Sequence, residues 1–183
     1  MKEASDRQLL EAWAAGDSRA GNELITRHWG SLHRFFINKA PPSDQPDLLQ
    51  STLLECTRSV TRFRGDSSFR TFLLAIARNV LLHYFRTRAR RLDRLDPLTH
   101  SVERLTTVGV FTRLARTRAR VEVLRALRQL PIDLQIVIEL KYWERMTARE
   151  IGEVLGVGIN TVKGRINRGK RQLSELLATD GEL

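Results

Sequence analysis

The sequence predicts an all-α protein of two small helical domains joined by a flexible linker, the second domain containing a helix-turn-helix. Three observations carry this: apolar residues recur at helical rather than strand spacing, the pattern lapses once in mid-chain, and a capped short helix is followed by Gly156-Val157-Gly158 and another helix. The first domain covers residues 6–91, the linker 92–115 and the second domain 116–178, with the helix-turn-helix at 147–166.

In the first domain, Ser5-Asp6-Arg7-Gln8 fits a capping box, and Leu9, Leu10 and Trp13 follow on one face. Gly16 supplies a C-cap, and Asp17 or Ser18 opens a second helix carrying Leu24, Ile25, Leu32, Phe35 and Phe36, which Pro41-Pro42 stops. A third helix is expected over Asp44 to Arg62, then a turn over Gly65-Asp66-Ser67-Ser68. A long fourth helix from Phe69 to Arg90 buries Phe72, Leu73, Ile76, Ala77, Val80, Leu81 and Tyr84.

From Leu92 to Gly109 the helical stripe disappears, with Pro97, several Thr and a weak strand signal at Thr106–Phe111. About 20 extended residues reach on the order of 60 Å, enough for two tethered modules to grip sites nearly two DNA turns of about 34 Å apart. Periodicity returns over Arg116–Leu130. Pro131 suits the first position of the next helix, whose apolar face is Leu134, Ile136, Val137, Leu140 and Trp143. Thr147-Ala148-Arg149-Glu150 is a second capping box, opening a helix that ends near Gly156, and a final helix runs from Asn160 to Leu177.

The net charge of +10 points to a polyanionic partner, since Lys and Arg release counterions from phosphates. The outward residues of the last helix suit DNA: Asn160, Thr161, Lys163, Arg165, Arg168 and Arg171 are donors, and no acid appears before Glu175. Arg and Lys can bond guanine edges and Asn adenine, while others of these groups touch phosphate, which positions without specifying. In the first domain, Phe63 to Arg70 and the basic end of the fourth helix place aromatics beside arginines, a weaker signal for unpaired bases that core packing explains equally well.

Other chemistry finds little support. His28 and His33 are five residues apart, about 140° around a helix, so they share no face. His83, His100 and Cys56 lie on other segments; Cys56 reads as a small buried hydrophobe. No phosphate loop, nucleophile elbow or dinucleotide fingerprint occurs, so neither an enzyme, a metal site nor a cofactor is expected. The N-terminus lacks a signal peptide's apolar core and no stretch could span a bilayer, which favours a cytoplasmic protein without membrane insertion.

The run Asp47-Leu48-Leu49-Gln50, then Phe63 to Leu73, then Ile76-Ala77-Arg78-Asn79, resembles region two of bacterial extracytoplasmic-function sigma factors. Leu130-Pro131 and Tyr142 to Thr147, followed by the helix-turn-helix, resemble region four. The resemblance implies a transcription initiation factor whose partners are core RNA polymerase and promoter DNA, as duplex and as nontemplate single strand. It implies that Asp47, Leu49 and Gln50 dock on the polymerase. Phe63, Arg64, Asp66, Ser67, Asn79 and Arg86 would bind the minus-ten element and capture a flipped base, a step that costs a few kcal/mol of unstacking. Asn160, Thr161, Lys163, Arg165, Arg168 and Arg171 would meet the minus-thirty-five element. An anti-sigma factor is a common further partner in that family.

Three positions depart from the pattern. Gly21 stands where a large aromatic is usual, which predicts thinner packing; Ser51 to Cys56 lacks the usual acid and aromatic; Gly164 replaces a Ser, and a mid-helix Gly costs about 1 kcal/mol relative to Ala. Two other readings stay open. One is a stand-alone helix-turn-helix regulator, which would bind duplex DNA alone, usually as a dimer. The other is an adaptor or RNA-binding module indifferent to promoter sequence.

Overall fold

The computed structural model describes residues 4–63, 65–91 and 118–180, with side chains at 89–91, 118–120 and 179–180 left aside. The linker at 92–115, Arg64 and His100 lie outside the described residues, and so does the weak strand signal at Thr106–Phe111. The described residues form eight α-helices: α1 Asp6–Ala14, α2 Ser18–Ile37, α3 Gln45–Ser59, α4 Phe69–Arg91, α5 Arg118–Gln129, α6 Ile132–Tyr142, α7 Ala148–Leu155 and α8 Ile159–Asp180. A 3-10 turn, Val60–Arg62, follows α3.

The helix starts follow local chemistry. Ser5 and Gln8 close a capping box at α1, and Thr147 and Glu150 close the same box at α7. Each satisfies two backbone donors that a helix leaves orphaned. Asp17, not Ser18, caps α2, its carboxylate accepting from the amides of Arg19 at 2.8 Å and Ala20 at 3.3 Å. Pro131 is the N-cap of α6 rather than its first residue. Asp44 precedes α3 but spends its carboxylate elsewhere, accepting the Tyr84 hydroxyl at 2.7 Å and so tying the start of α3 to α4. That bond holds the Asp44 carboxyl below its ordinary range, with Ser43 and the charge of Arg88 adding to it.

The core of the N-terminal module is built from Leu24, Leu32, Phe36, Leu73, Leu74, Ala77, Leu81 and Phe85, all fully buried. Leu74, Leu82 and Phe85 extend the buried side of α4 beyond its expected stripe, while Phe72, Ile76, Val80 and Tyr84 are only partly covered. The cause is tertiary: α4 packs against α2 and α3 and also receives α7 of the C-terminal module. A single core runs through both modules, joining Leu73 and Leu81 to Ile132, Ile136, Val137, Leu140, Met146 and Ile151. A smaller cluster of Leu127, Leu130, Leu134 and Ile138 closes α5 onto α6 and α8.

Two expectations are corrected. Trp143 does not share the inward face of α6; it is 37% exposed. The helix ends at Tyr142, and Arg145 then takes a left-handed backbone with φ 54°, so the chain turns and Met146 fills the buried position instead. Gly21 does not thin the packing of α2. A Cβ there would lie 2.7 Å from atoms of the Trp13 ring, so the indole of α1 occupies the space an aromatic on α2 would take.

Candidate nucleic-acid interface and the region that faces it

The helix-turn-helix is α7, a three-residue turn, and α8. Gly156 takes φ +66° at the end of α7, a conformation glycine adopts without steric cost. Gly152 lets the turn close tightly, since a Cβ there would sit 2.7 Å from the Val157 carbonyl oxygen. Ile151, Val154, Leu155 and Val162 are buried and Ile166 packs beside them, as the apolar spacing requires. That arrangement turns the other face of α8 outward.

Asn160, Thr161, Lys163, Arg168 and Arg171 are all exposed on α8. Arg171 stands 3.9 Å from Glu175, an exposed pair worth little in water. Arg165 differs. Its Nε lies 3.4 Å from Asp133 at the start of α6, and it is only part exposed. Burial lowers the pKa of Arg78 on α4, and the charges of Arg165 and Arg86 lower it further. Three guanidinium groups therefore crowd one region, with Asp133 the acid nearby.

Gly164 faces open space: a Cβ at this position would meet nothing within 4 Å. Gly164→Ala is therefore expected to raise stability by about 1 kcal/mol, read as a higher urea midpoint at unchanged slope. A loss of stability would mean that the helix backbone there is not free to accept a side chain.

In the N-terminal module, Phe63 packs against Phe72 with ring centroids 4.6 Å apart and ring planes tilted by 49°. The two rings, with Arg62, Asp66, Ser67, Thr71 and Ala75, line an open cavity of about 290 Å³. Such a cavity, lined by two aromatic rings and by polar side chains, has the composition of a site that stacks a base and hydrogen-bonds its edge. Glu153 of α7 completes the lining from the opposite module, a contribution that sequence reasoning missed.

Asn79 is not part of this cavity. It lines a wider groove of about 770 Å³ between α3 and α4, together with Asp47, Leu54, His83, Tyr84 and Arg88. Arg86 is exposed on α4. Of the residues expected to dock on the polymerase, Asp47 and Gln50 are exposed on α3, but Leu49 is buried at 8% exposure. As placed, Leu49 anchors α3 to its core rather than offering a surface. Leu54, 52% exposed on the same helix, is the apolar group that faces out.

Cys56 is fully buried, and burial pushes its thiol up to about 12, so it behaves as a core hydrophobe. His28 is held by Asp6 at 2.6 Å, and His33 stacks on Trp29. Among the described residues no group of acids, histidines and cysteines could hold a metal ion, and no helix is long and apolar enough to cross a membrane.

Two family models match the chain in order: Sigma-70 region 2 over residues 24–91 and Sigma-70 region 4 over residues 120–173. The chain belongs to the extracytoplasmic-function family of RNA polymerase sigma factors. It is 27% identical to the ECF RNA polymerase sigma-E factor of Escherichia coli K12, covering 94% of each chain. Against the sigma-E factor of Haemophilus influenzae identity is 28%, covering 94% of this chain and 95% of that one. Among solved structures it resembles CnrH in complex with the cytosolic domain of CnrY, with TM-score 0.70 and 28% identity over 96% of this chain and 98% of that one. The sigma factor RpoE of Bartonella quintana, solved with the anti-sigma factor NepR, shares the fold at TM-score 0.69 and 21% identity, covering 87% of this chain and 97% of that one. Both sigma regions thus fall on the two helical modules, and the match to region 4 contains the whole of α7.

Proposed function

We propose that this protein is a promoter-directing initiation factor: it binds core RNA polymerase, reads the minus-thirty-five element with α8 and captures the nontemplate strand of the minus-ten element in the Phe63 cavity. One observation carries most of the weight. A helix-turn-helix with an exposed basic face lies in the region 4 match, and an aromatic cavity that also carries polar side chains takes all of its lining but Glu153 from the region 2 match. A duplex reader needs only the first of these; a factor that also opens DNA needs both.

In this reading Lys163 and Arg168, exposed and on the outward face of α8, make the first contacts to base edges or phosphate. Asn160, Thr161 and Arg171 flank them, and Arg165 joins once Asp133 releases it. Phe63 supplies the stacking ring and Asp66 and Ser67 the polar wall. Arg86 neutralises backbone phosphate along α4. Asp47 and Gln50 meet the polymerase, with Leu54 as the apolar contact between successive turns. The protein itself carries out no catalysis and works in the cytoplasm. An anti-sigma factor is part of the proposal: CnrH was solved with the cytosolic domain of CnrY, and RpoE of Bartonella quintana with the anti-sigma factor NepR.

A stand-alone helix-turn-helix regulator leaves the region 2 match over residues 24–91 without a role. The deciding experiment is reconstituted transcription. Added to core polymerase and a genomic fragment library, the protein is expected to yield promoter-specific transcripts that core enzyme alone does not make. Site-specific duplex binding without polymerase, and no change in where polymerase initiates, would favour the regulator.

A further inference from the structure

The turn between α6 and α7 holds an arginine where the backbone favours glycine. Arg145 takes φ 54°, and among the described residues no other side-chain-bearing residue has a left-handed backbone. A Cβ crowds the following carbonyl oxygen in that conformation, whereas glycine adopts it without steric cost.

The two neighbours of Arg145 impose it. Glu144 is buried, accepts from Ser31 at 2.6 Å and Arg34 at 2.8 Å, and has its carbonyl bonded by Arg70 at 3.1 Å. Met146 is fully buried, and its amide donates to the Leu140 carbonyl at 3.0 Å. With both sides held, the strained residue between them persists. Its side chain gives nothing to the turn. Arg145 is exposed, and no acid among the described residues pairs with it. The fold therefore accounts for the backbone at this position and not for the guanidinium.

Placement points to what the guanidinium meets. Arg145 stands two residues before Thr147, the N-cap of α7, which is the first helix of the helix-turn-helix. In that motif the second helix enters the major groove while the first crosses the sugar-phosphate backbone. Arg149, one turn further on, is exposed as well but lies 3.3 Å from Glu153, so its charge is partly spent inside α7. The charge of Arg145 is unspent, and a planar guanidinium fork matches the oxygens of a phosphate.

We propose that Arg145 is a backbone clamp: its guanidinium binds a DNA phosphate beside the minus-thirty-five element, and the strain at this turn is the cost of presenting it. The proposal rests on the reading of the helix-turn-helix as the minus-thirty-five reader and adds a contact outside α8. A phosphate contact positions without specifying, so Arg145 fixes how the motif is set on the duplex and leaves base preference to α8.

The test uses holoenzyme reconstituted from the full-length chain and core polymerase. The probe is a fluorescent promoter duplex from a fragment that this holoenzyme transcribes, together with copies altered in the minus-thirty-five bases. Arg145→Ala is expected to bind about two- to fivefold more weakly, as for one exposed charge pair, by the same factor on every duplex. The slope of log affinity against log salt, taken between about 50 and 200 mM, should become shallower by about 1. Arg145→Lys keeps the charge and should recover most of the affinity. Arg145→Gly should bind as weakly as the alanine variant yet unfold at a higher urea midpoint, because the strain leaves with the Cβ. An unchanged salt slope in Arg145→Ala, a loss confined to particular minus-thirty-five sequences, or a lower urea midpoint in Arg145→Gly would each overturn the clamp. Failure of the underlying reading shows elsewhere. Lys163→Ala combined with Arg168→Ala would then leave duplex binding unchanged, and the clamp would fall with it; failure of the clamp alone leaves that double variant defective.

Discussion

Replacing Phe63 by alanine is expected to lower open-complex formation by about 10- to 100-fold at limiting polymerase, while binding of the minus-thirty-five duplex by α8 is unchanged. The magnitude follows from losing one base–aromatic stack, about 1–3 kcal/mol. The ring also packs on Phe72 at 4.6 Å, so part of the effect could come from the cavity wall. Phe63→Leu separates the two, because it keeps an apolar side chain against Phe72 but has no aromatic face; if stacking is what is lost, it should be nearly as defective as the alanine. Permanganate reactivity of unpaired thymines measures melting directly, and thermal denaturation checks the fold. Normal melting by Phe63→Ala would remove Phe63 from strand capture and leave the cavity without its stacking wall.

Lys39→Met is expected to cost about 3–5 kcal/mol, or the whole free energy of parting the modules if that is smaller. Removing one partner of a buried ion pair strands the other charge in a medium that solvates it poorly. Lys39 is fully buried and the Glu139 side chain is 5% exposed, so neither can rehydrate while the modules stay closed. Lys39→Met/Glu139→Gln is expected to recover most of the loss: both charges go, and a carbonyl oxygen at position 139 can still accept from Asn38 and Gln135. Urea unfolding combined with energy transfer reads both quantities. A loss under about 1 kcal/mol with the modules still together would mean that the pair is not desolvated in solution.

What is legible in the sequence is local. Ser5 with Gln8 and Thr147 with Glu150 announce their helices because a capping box lies within four residues, and Gly156 marks its turn because the left-handed backbone selects it. The buried face of α7 follows from spacing alone. What fails to show is set by distance along the chain. Lys39 and Glu139 are 100 residues apart, and two charged residues read singly look like surface groups. Nothing local says that they bury one another, so the closed arrangement does not show at that level, and neither does Glu153 beside Phe63. Trp143 is misplaced by its spacing for a related reason. Periodicity extends a helix as long as residue types permit, whereas the backbone leaves the helix at Tyr142 and reverses at Arg145.

The candidate site divides along the same line. Residues on the open face of α8 can be read from composition, because an uninterrupted run of donors is unusual for a solvated helix. Leu49 cannot be assigned that way: its neighbours Asp47 and Gln50 are exposed, but its own side chain lies inside. Asn79 sits one helical turn beyond Ala75, far enough to line a different concavity. The extent of α4 that is buried depends on α7, which comes from the other module.

The fit of Trp13 beside Gly21 ties two positions on neighbouring helices into one steric unit. A bulky ring can be supplied from either arm of the helical hairpin they form, but not from both at once. Any engineered transplant of α1 or α2 between relatives must therefore exchange the pair together, or it will create either a collision or a hole.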